Sequence, residues 1–178
     1  SSMAIPLENV VPVSVEEDVR VAVREALEFA ARKTGRSRGE AVLASLAADD
    51  EWALGYLAYG LACNLASSLG NLDGNIREAY VLGLQGDDCG STSFPVVLVL
   101  NTTCRTAALE SIVARVSGAL PRALAAEAGL RPELAAGFMD IQVVEAEDVA
   151  MKRGLGAAIH SLWAPALKVW SRDTGDCA

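Results

Sequence analysis

Residues 79–101, AYVLGLQGDDCGSTSFPVVLVLN, decide the fold, and the rest of the chain is organised around them. Two apolar segments are joined here by a polar, glycine-rich turn, which predicts two strands, over residues 76–84 and 94–101. The second segment contains an uninterrupted apolar run at residues 96–100. Such a run is typical of a strand that is buried on both faces, so the sequence predicts the middle of a sheet that helices cover.

A third strand is predicted over residues 139–146, where apolar and polar residues alternate. Helical periodicity fills most of the remaining chain. The sequence therefore predicts one domain of the α/β (α+β) class, residues 4–172, built on a small three-stranded mixed sheet flanked by helices. Within it we expect an N-terminal helical segment (4–72), a sheet core (76–148) and a C-terminal helical region (152–172).

The charge balance argues against nucleic acid as a partner. The chain has 23 acidic and 15 basic residues, for a formal net charge of -8. An acidic surface repels phosphate backbones unless the basic residues cluster, and here they do not form a separate basic patch.

Residues 52–72 are the most apolar part of the chain and contain no charged residue. Asn64, Ser67 and Asn71 interrupt the apolar character, and leucines recur at three- and four-residue spacing. This pattern favours a buried core helix over a membrane span, so we expect no membrane partner. A membrane-associated helical protein is the alternative.

The four cysteines are Cys63, Cys89, Cys104 and Cys177. They form no CxxC pair and the single histidine is distant in sequence, so a zinc site is not expected. No secretory signal is visible at the start of the chain, which predicts a cytoplasmic protein with free thiols. A Cys89–Cys104 disulfide is the alternative, because 12 arginines against 3 lysines hint at a GC-rich or thermophilic source.

The order of the predicted elements over residues 76–148 resembles the nucleotidyltransferase fold of the polymerase-beta type. In that family the first strand ends in Gly-Ser, which holds the nucleotide phosphates. The second strand begins Ser-Asp-x-Asp and the next strand opens with a third acid, and these carboxylates bind two magnesium ions for phosphoryl transfer. The resemblance places Gly83 at the glycine of the motif and Asp140 at the third acid.

The chain departs from the family pattern at the residues that define the activity. Leu84 stands at the position of the serine, and Phe94 and Val96 stand at the positions of the two aspartates. Phenylalanine and valine cannot coordinate magnesium. The resemblance and its departures together imply a non-catalytic binding or protein-interaction module that has no cofactor. We expect a homo-oligomer or a protein partner.

Two acids in the turn keep an enzymatic alternative open. Asp87 and Asp88, together with Asp140, could bind a divalent ion such as magnesium in a rearranged site. The chain would then be a metal-dependent enzyme acting on a nucleotide or another phosphate-containing small molecule. A solvated turn explains the same residues without a ligand. The candidate ligand-binding residues are therefore Gly83, Asp87, Asp88 and Asp140, and no catalytic residue or metal ligand is assigned.

Overall fold

A computed structural model describes residues 14–84, 92–159 and 166–173. These residues form seven helices and one four-stranded sheet, which confirms the mixed α/β class. In chain order the elements are α1 (Val15–Thr34), α2 (Glu40–Ala47), α3 (Glu51–Leu72), β1 (Ile76–Leu82), β2 (Val96–Thr102), α4 (Ala107–Ala128), α5 (Pro132–Ala136), β3 (Met139–Glu145), α6 (Ala146–Ala150), α7 (Leu155–Ile159) and β4 (Leu167–Ser171).

Strand β2 lies inside the sheet, whose strand order is β3-β2-β1-β4. It pairs antiparallel with β1 and parallel with β3. The parallel ladder runs without a shift from Val96 opposite Met139 to Thr102 opposite Glu145. Six of the seven β2 residues are buried, the pattern B-i-B-B-B-B-B, because helices cover both faces of the sheet. The sequence prediction for this strand is confirmed.

The sheet has four strands, and the predicted three-stranded sheet was wrong in this respect. Residues 167–171 lie in the region predicted as helical (152–172) but form β4, which pairs antiparallel with β1. The helical prediction failed because Leu167 and Trp170 are three residues apart, a spacing that suits a helix. A register shift in the β1–β4 ladder lets the neighbouring residues Val169 and Trp170 both be buried, which breaks the two-residue period of a regular strand.

Trp170 packs against α3 because residue 70 is a glycine. A Cβ atom added at Gly70 would overlap the indole ring. The Arg172 guanidinium lies 5.1 Å from the centre of the same indole and donates hydrogen bonds to the carbonyls of Gly70 (2.7 Å) and Asp73 (3.0 Å). These carbonyls belong to the end of α3, where helical partners are missing. The end of β4 is therefore attached to α3 as well as to β1.

The long helices cover one face of the sheet, which we call the inner face. Helix α3 packs on β1, β2 and β4, α4 packs on β3, and α1 packs across both helices. The predicted leucine stripe of α3 is buried here, at Leu54, Leu57, Leu61, Leu65 and Leu69. Among the residues that the structure describes, no helix combines the length and the apolar character that crossing a membrane requires.

The outer face, on the opposite side, is covered by the short helices α6 and α7. Val99 of β2, Val144 of β3 and Ile159 of α7 form a second, smaller apolar cluster on this side. Tyr80, Leu82 and Val97 pack against it and are only partly buried. Polar side chains of the strands can therefore remain on this face.

Candidate functional site

One end of the sheet brings together three positions that the sequence singled out. Leu82 is opposite Val97 in the β1–β2 ladder, and Val97 is opposite Asp140 in the β2–β3 ladder. Gly83 follows β1 directly with φ of 101°, in the left-handed region that favours glycine, and its carbonyl accepts a hydrogen bond from the Ser93 amide at 3.0 Å. The end of β1 and the beginnings of β2 and β3 therefore lie side by side at this edge.

Apolar side chains fill the positions where the resemblance would place the two aspartates. The Phe94 ring stacks on the Phe138 ring with 4.9 Å between the ring centres. Val96 is fully buried in the core of the inner face, and its amide donates to the Phe138 carbonyl at 3.1 Å. Leu84, at the position of the serine, is also buried. The inner face at this end of the sheet is therefore packed as a hydrophobic core.

Asp140 lies at the same end of the sheet but on the other face. Its neighbours Met139 and Ile141 are buried in the inner core, so the alternation of the strand directs Asp140 outward. The carboxylate is exposed and accepts a hydrogen bond from the Gln142 amide at 2.7 Å. Asp140 therefore does not converge with the side chains of Phe94 and Val96.

The rearranged metal site cannot be assembled from the described part of the chain. Asp87 and Asp88 lie outside the described residues, as does Cys89, the suggested partner of Cys104. Cys104 itself is a free, exposed thiol. Within residues 14–84, 92–159 and 166–173, no three histidine, cysteine, aspartate or glutamate side chains are grouped as metal ligands.

The sequence did not predict a polar network on the outer face. Glu78 of β1 accepts hydrogen bonds from the Tyr80 hydroxyl at 3.0 Å and from the Asn101 amide at 3.2 Å, both at Oε1. Its other oxygen, Oε2, forms an ion pair with Lys168 Nζ at 2.8 Å. We call these four residues the Glu78 network. They come from three neighbouring strands, β1, β2 and β4.

The pKa shifts within the Glu78 network keep the ionisation state of each of its titratable residues unchanged near neutral pH. Partial burial raises the pKa of Glu78, but the hydrogen bonds from Lys168, Tyr80 and Asn101 together hold this pKa below its ordinary value. Burial and the adjacent carboxylate raise the pKa of the Tyr80 hydroxyl. The hydrogen bond to Glu78 raises the pKa of Lys168. None of the three shifts moves a group toward titration near neutrality, so the network suits structural attachment better than proton transfer.

The side-chain oxygen of Asn101 has no hydrogen-bond partner among the residues that the structure describes. The residue is 5% exposed, and this Oδ1 atom is buried. The Glu78 carboxylate can only accept, so the amide nitrogen must face it and the orientation of Oδ1 is fixed. Strand alternation could have suggested Glu78 and Tyr80 as neighbours on one face. It could not have found Lys168, whose segment was predicted as helical.

The described residues thus include an apolar strand end and the ion-paired Glu78 network. In comparisons with family models, with curated proteins and with solved structures, the chain matched none of them.

Proposed function

We propose that this chain is a non-catalytic binding or protein-interaction module with a nucleotidyltransferase-like fold. The stacked rings of Phe94 and Phe138, 4.9 Å apart, carry this proposal. Magnesium requires oxygen ligands, and this position offers hydrocarbon. An acid at Val96 would also face the inner core, away from Asp140. Gly83, Val96 and Asp140 lie at one end of the sheet. This arrangement supports the likeness to the nucleotidyltransferase fold.

Isothermal titration with ATP, in magnesium and in EDTA, tests the non-catalytic role. We expect no magnesium-dependent heat of binding, because positions 94 and 96, where two carboxylates would share the metal, carry phenylalanine and valine. Tight, magnesium-dependent ATP binding would contradict the proposal and would favour the alternative site at Asp87, Asp88 and Asp140. In that case Asp140→Asn should weaken the binding.

A surface group of aromatic residues supports the interaction role. Phe29 of α1 lies 6.1 Å from Tyr56 and 5.5 Å from Tyr59 of α3, measured between ring centres. Trp52 extends this group, 6.3 Å from Tyr56, and is 49% exposed. Exposed tryptophan and tyrosine are enriched at the centres of protein interfaces. A second copy of the chain is the commonest form of such a partner.

Size-exclusion chromatography with light scattering tests this partner. We expect the wild-type chain to be a dimer and Trp52→Ser to shift it toward monomer at the same concentration. Met151→Ser is the matched control, because Met151 is 63% exposed and follows α6 on the outer side of the sheet. A wild-type monomer, or a Trp52→Ser variant that dimerises like the wild type, would count against the interaction surface.

A further inference from the structure

A cavity of about 310 Å³ opens beside the carboxyl halves of the parallel strands β2 and β3. Arg105, three residues after β2, lines one side, and Val144 of β3 lines its floor. Asp148, Arg153 and Leu155 line its other side, from the α6–α7 segment, and the cavity is open to solvent. In sheets with parallel strands, ligands characteristically bind at the carboxyl ends of those strands. This cavity is at the opposite end of β3 from Asp140.

Asp148 and Arg153 are the charged residues of the α6–α7 segment that line the cavity, and they lie in a defined backbone. The Arg153 amide donates to the Asp148 carbonyl at 2.8 Å, and the Gly156 amide donates to the Arg153 carbonyl at 2.8 Å. A Cβ atom at Gly156 would overlap the Asp148 carbonyl, so the close approach of α7 depends on this glycine. Asp148 and Arg153 are therefore presented to the cavity by a compact turn.

Both guanidinium groups keep donors available toward the cavity. Arg153 is 3.4 Å from Glu147 and 3.4 Å from Asp148, beyond the 2.7–2.9 Å typical of a strong charged hydrogen bond. Arg105 pairs with Glu110 through Nε and donates to the Val143 carbonyl through Nη1 at 3.2 Å. Its Nη2 takes part in neither bond. A carboxylate ligand could therefore accept hydrogen bonds from these two arginines while the close ion pair between Arg105 and Glu110 is kept.

The local charges select the class of ligand. The two arginines face three acids, Glu110, Glu147 and Asp148, in a protein whose net charge is -8. A dianion such as phosphate would meet an unfavourable field, whereas a zwitterion would match both signs. The volume lies near the lower limit of about 300 Å³ for small-molecule pockets, which suits an amino acid better than a nucleotide.

We propose that this cavity binds an α-amino acid with an apolar side chain. The guanidinium groups of Arg105 and Arg153 hold its carboxylate, and the Asp148 carboxylate holds its ammonium group. Val144 and Leu155 provide the apolar wall for its side chain. This site goes beyond the proposed function, because it stands whether or not the chain binds magnesium and ATP.

Calorimetric titration of the full chain with L-leucine tests the site, and two analogues separate its charges. Isocaproate lacks the ammonium group of leucine, and isoamylamine lacks the carboxylate. We expect leucine to bind and each analogue to bind at least about tenfold more weakly, since each loses a charged hydrogen bond. Equal binding of all three, or no heat with leucine up to roughly 10 mM, would overturn the proposal.

Three variants assign the charges to residues. Arg153→Gln should weaken leucine binding at least about tenfold. Asp148→Asn should weaken leucine binding but leave the affinity for isocaproate unchanged. Arg131→Gln is the control, because Arg131 forms its ion pair with Asp49 away from the cavity. Circular dichroism checks that each variant is folded. Unchanged leucine binding by a folded Arg153→Gln chain would overturn the assignment.

Discussion

Glu78 shows at the scale of single residues how one partly buried charge joins three strands. Its two oxygens accept from Tyr80 of the same strand, from Asn101 of β2 and from Lys168 of β4. A partly buried carboxylate loses hydration, and these donors replace it. Lys168 also lies 5.8 Å from the centre of the Tyr80 ring, which adds a cation–π contact. The network therefore attaches the edge strand β4 to the sheet.

Replacing Glu78 with glutamine should lower the free energy of unfolding near neutral pH by about 1 kcal/mol, because the side chain is partly solvated. The folded-state pKa of Glu78 is lowered. Its stabilisation is therefore complete above the pKa of the unfolded chain and is lost as pH falls through the folded-state pKa. Urea denaturation should show the gap between wild type and Glu78→Gln narrowing below roughly pH 4.

At alkaline pH, the contribution of Lys168 to stability changes in the opposite direction from that of Glu78. The pKa of Lys168 is raised in the folded state, so its contribution is complete below the unfolded-state pKa and is lost as pH rises through the folded-state value. Glu25→Gln, at an exposed position of α1, is the control and should change the free energy of unfolding near neutral pH by less than about 0.5 kcal/mol. A Glu78→Gln variant as stable as wild type near neutral pH would show that the network contributes nothing.

At the scale of elements, the helices followed from local chemistry and β4 did not. Helix α1 (Val15–Thr34) is capped at its start by Ser14, whose hydroxyl accepts from the Glu17 amide at 3.2 Å, and at its end by Gly35, whose φ is 69°. Caps and periodicity depend on residues a few positions apart, so a sequence displays them. The conformation of β4 depends on the packing of Trp170 against Gly70 of α3. A pattern within the β4 segment alone cannot predict this contact.

Two glycine-to-alanine changes in long helices separate packing from helix propensity. Alanine at Gly70 would overlap the Trp170 indole, and we expect a loss of about 1–3 kcal/mol of unfolding free energy. Gly118 of α4 has open space around it, so alanine there should stabilise the chain by about 0.5–1 kcal/mol. Chemical denaturation measures both. Equal effects of the two changes would contradict the packing of β4 on α3.

At the scale of the whole molecule, strand pairing decides which residues can act together. The ladders place Gly83, Val96 and Asp140, the positions that the resemblance singled out, at one end of the sheet. The sequence did not predict that Val96 packs on the inner face and Asp140 on the outer face, because the face depends on the position of each strand's buried residues. Two carboxylates on opposite faces of a sheet cannot share one metal ion.

The same pairing explains why the candidate site could be predicted only in part. Phe94 and Val96 are visible in the sequence as departures from the family pattern, and their apolar environment follows from hydrophobicity alone. The amino-acid cavity combines Arg105 with Asp148 and Arg153, which are more than forty residues apart in the sequence and meet beside β3. The ladder between β2 and β3 and the hydrogen bond from Arg105 to the Val143 carbonyl bring these segments together.

Urea unfolding of Val96→Asp, with and without magnesium, tests most directly whether the strand end is a closed apolar core. Val96 is fully buried, so we predict a loss of at least about 3 kcal/mol that magnesium does not restore. Ser93→Asp, at an exposed position just before β2, is the control and should change stability by less than about 1 kcal/mol. A Val96→Asp chain that is as stable as wild type, or that magnesium stabilises, would contradict the account.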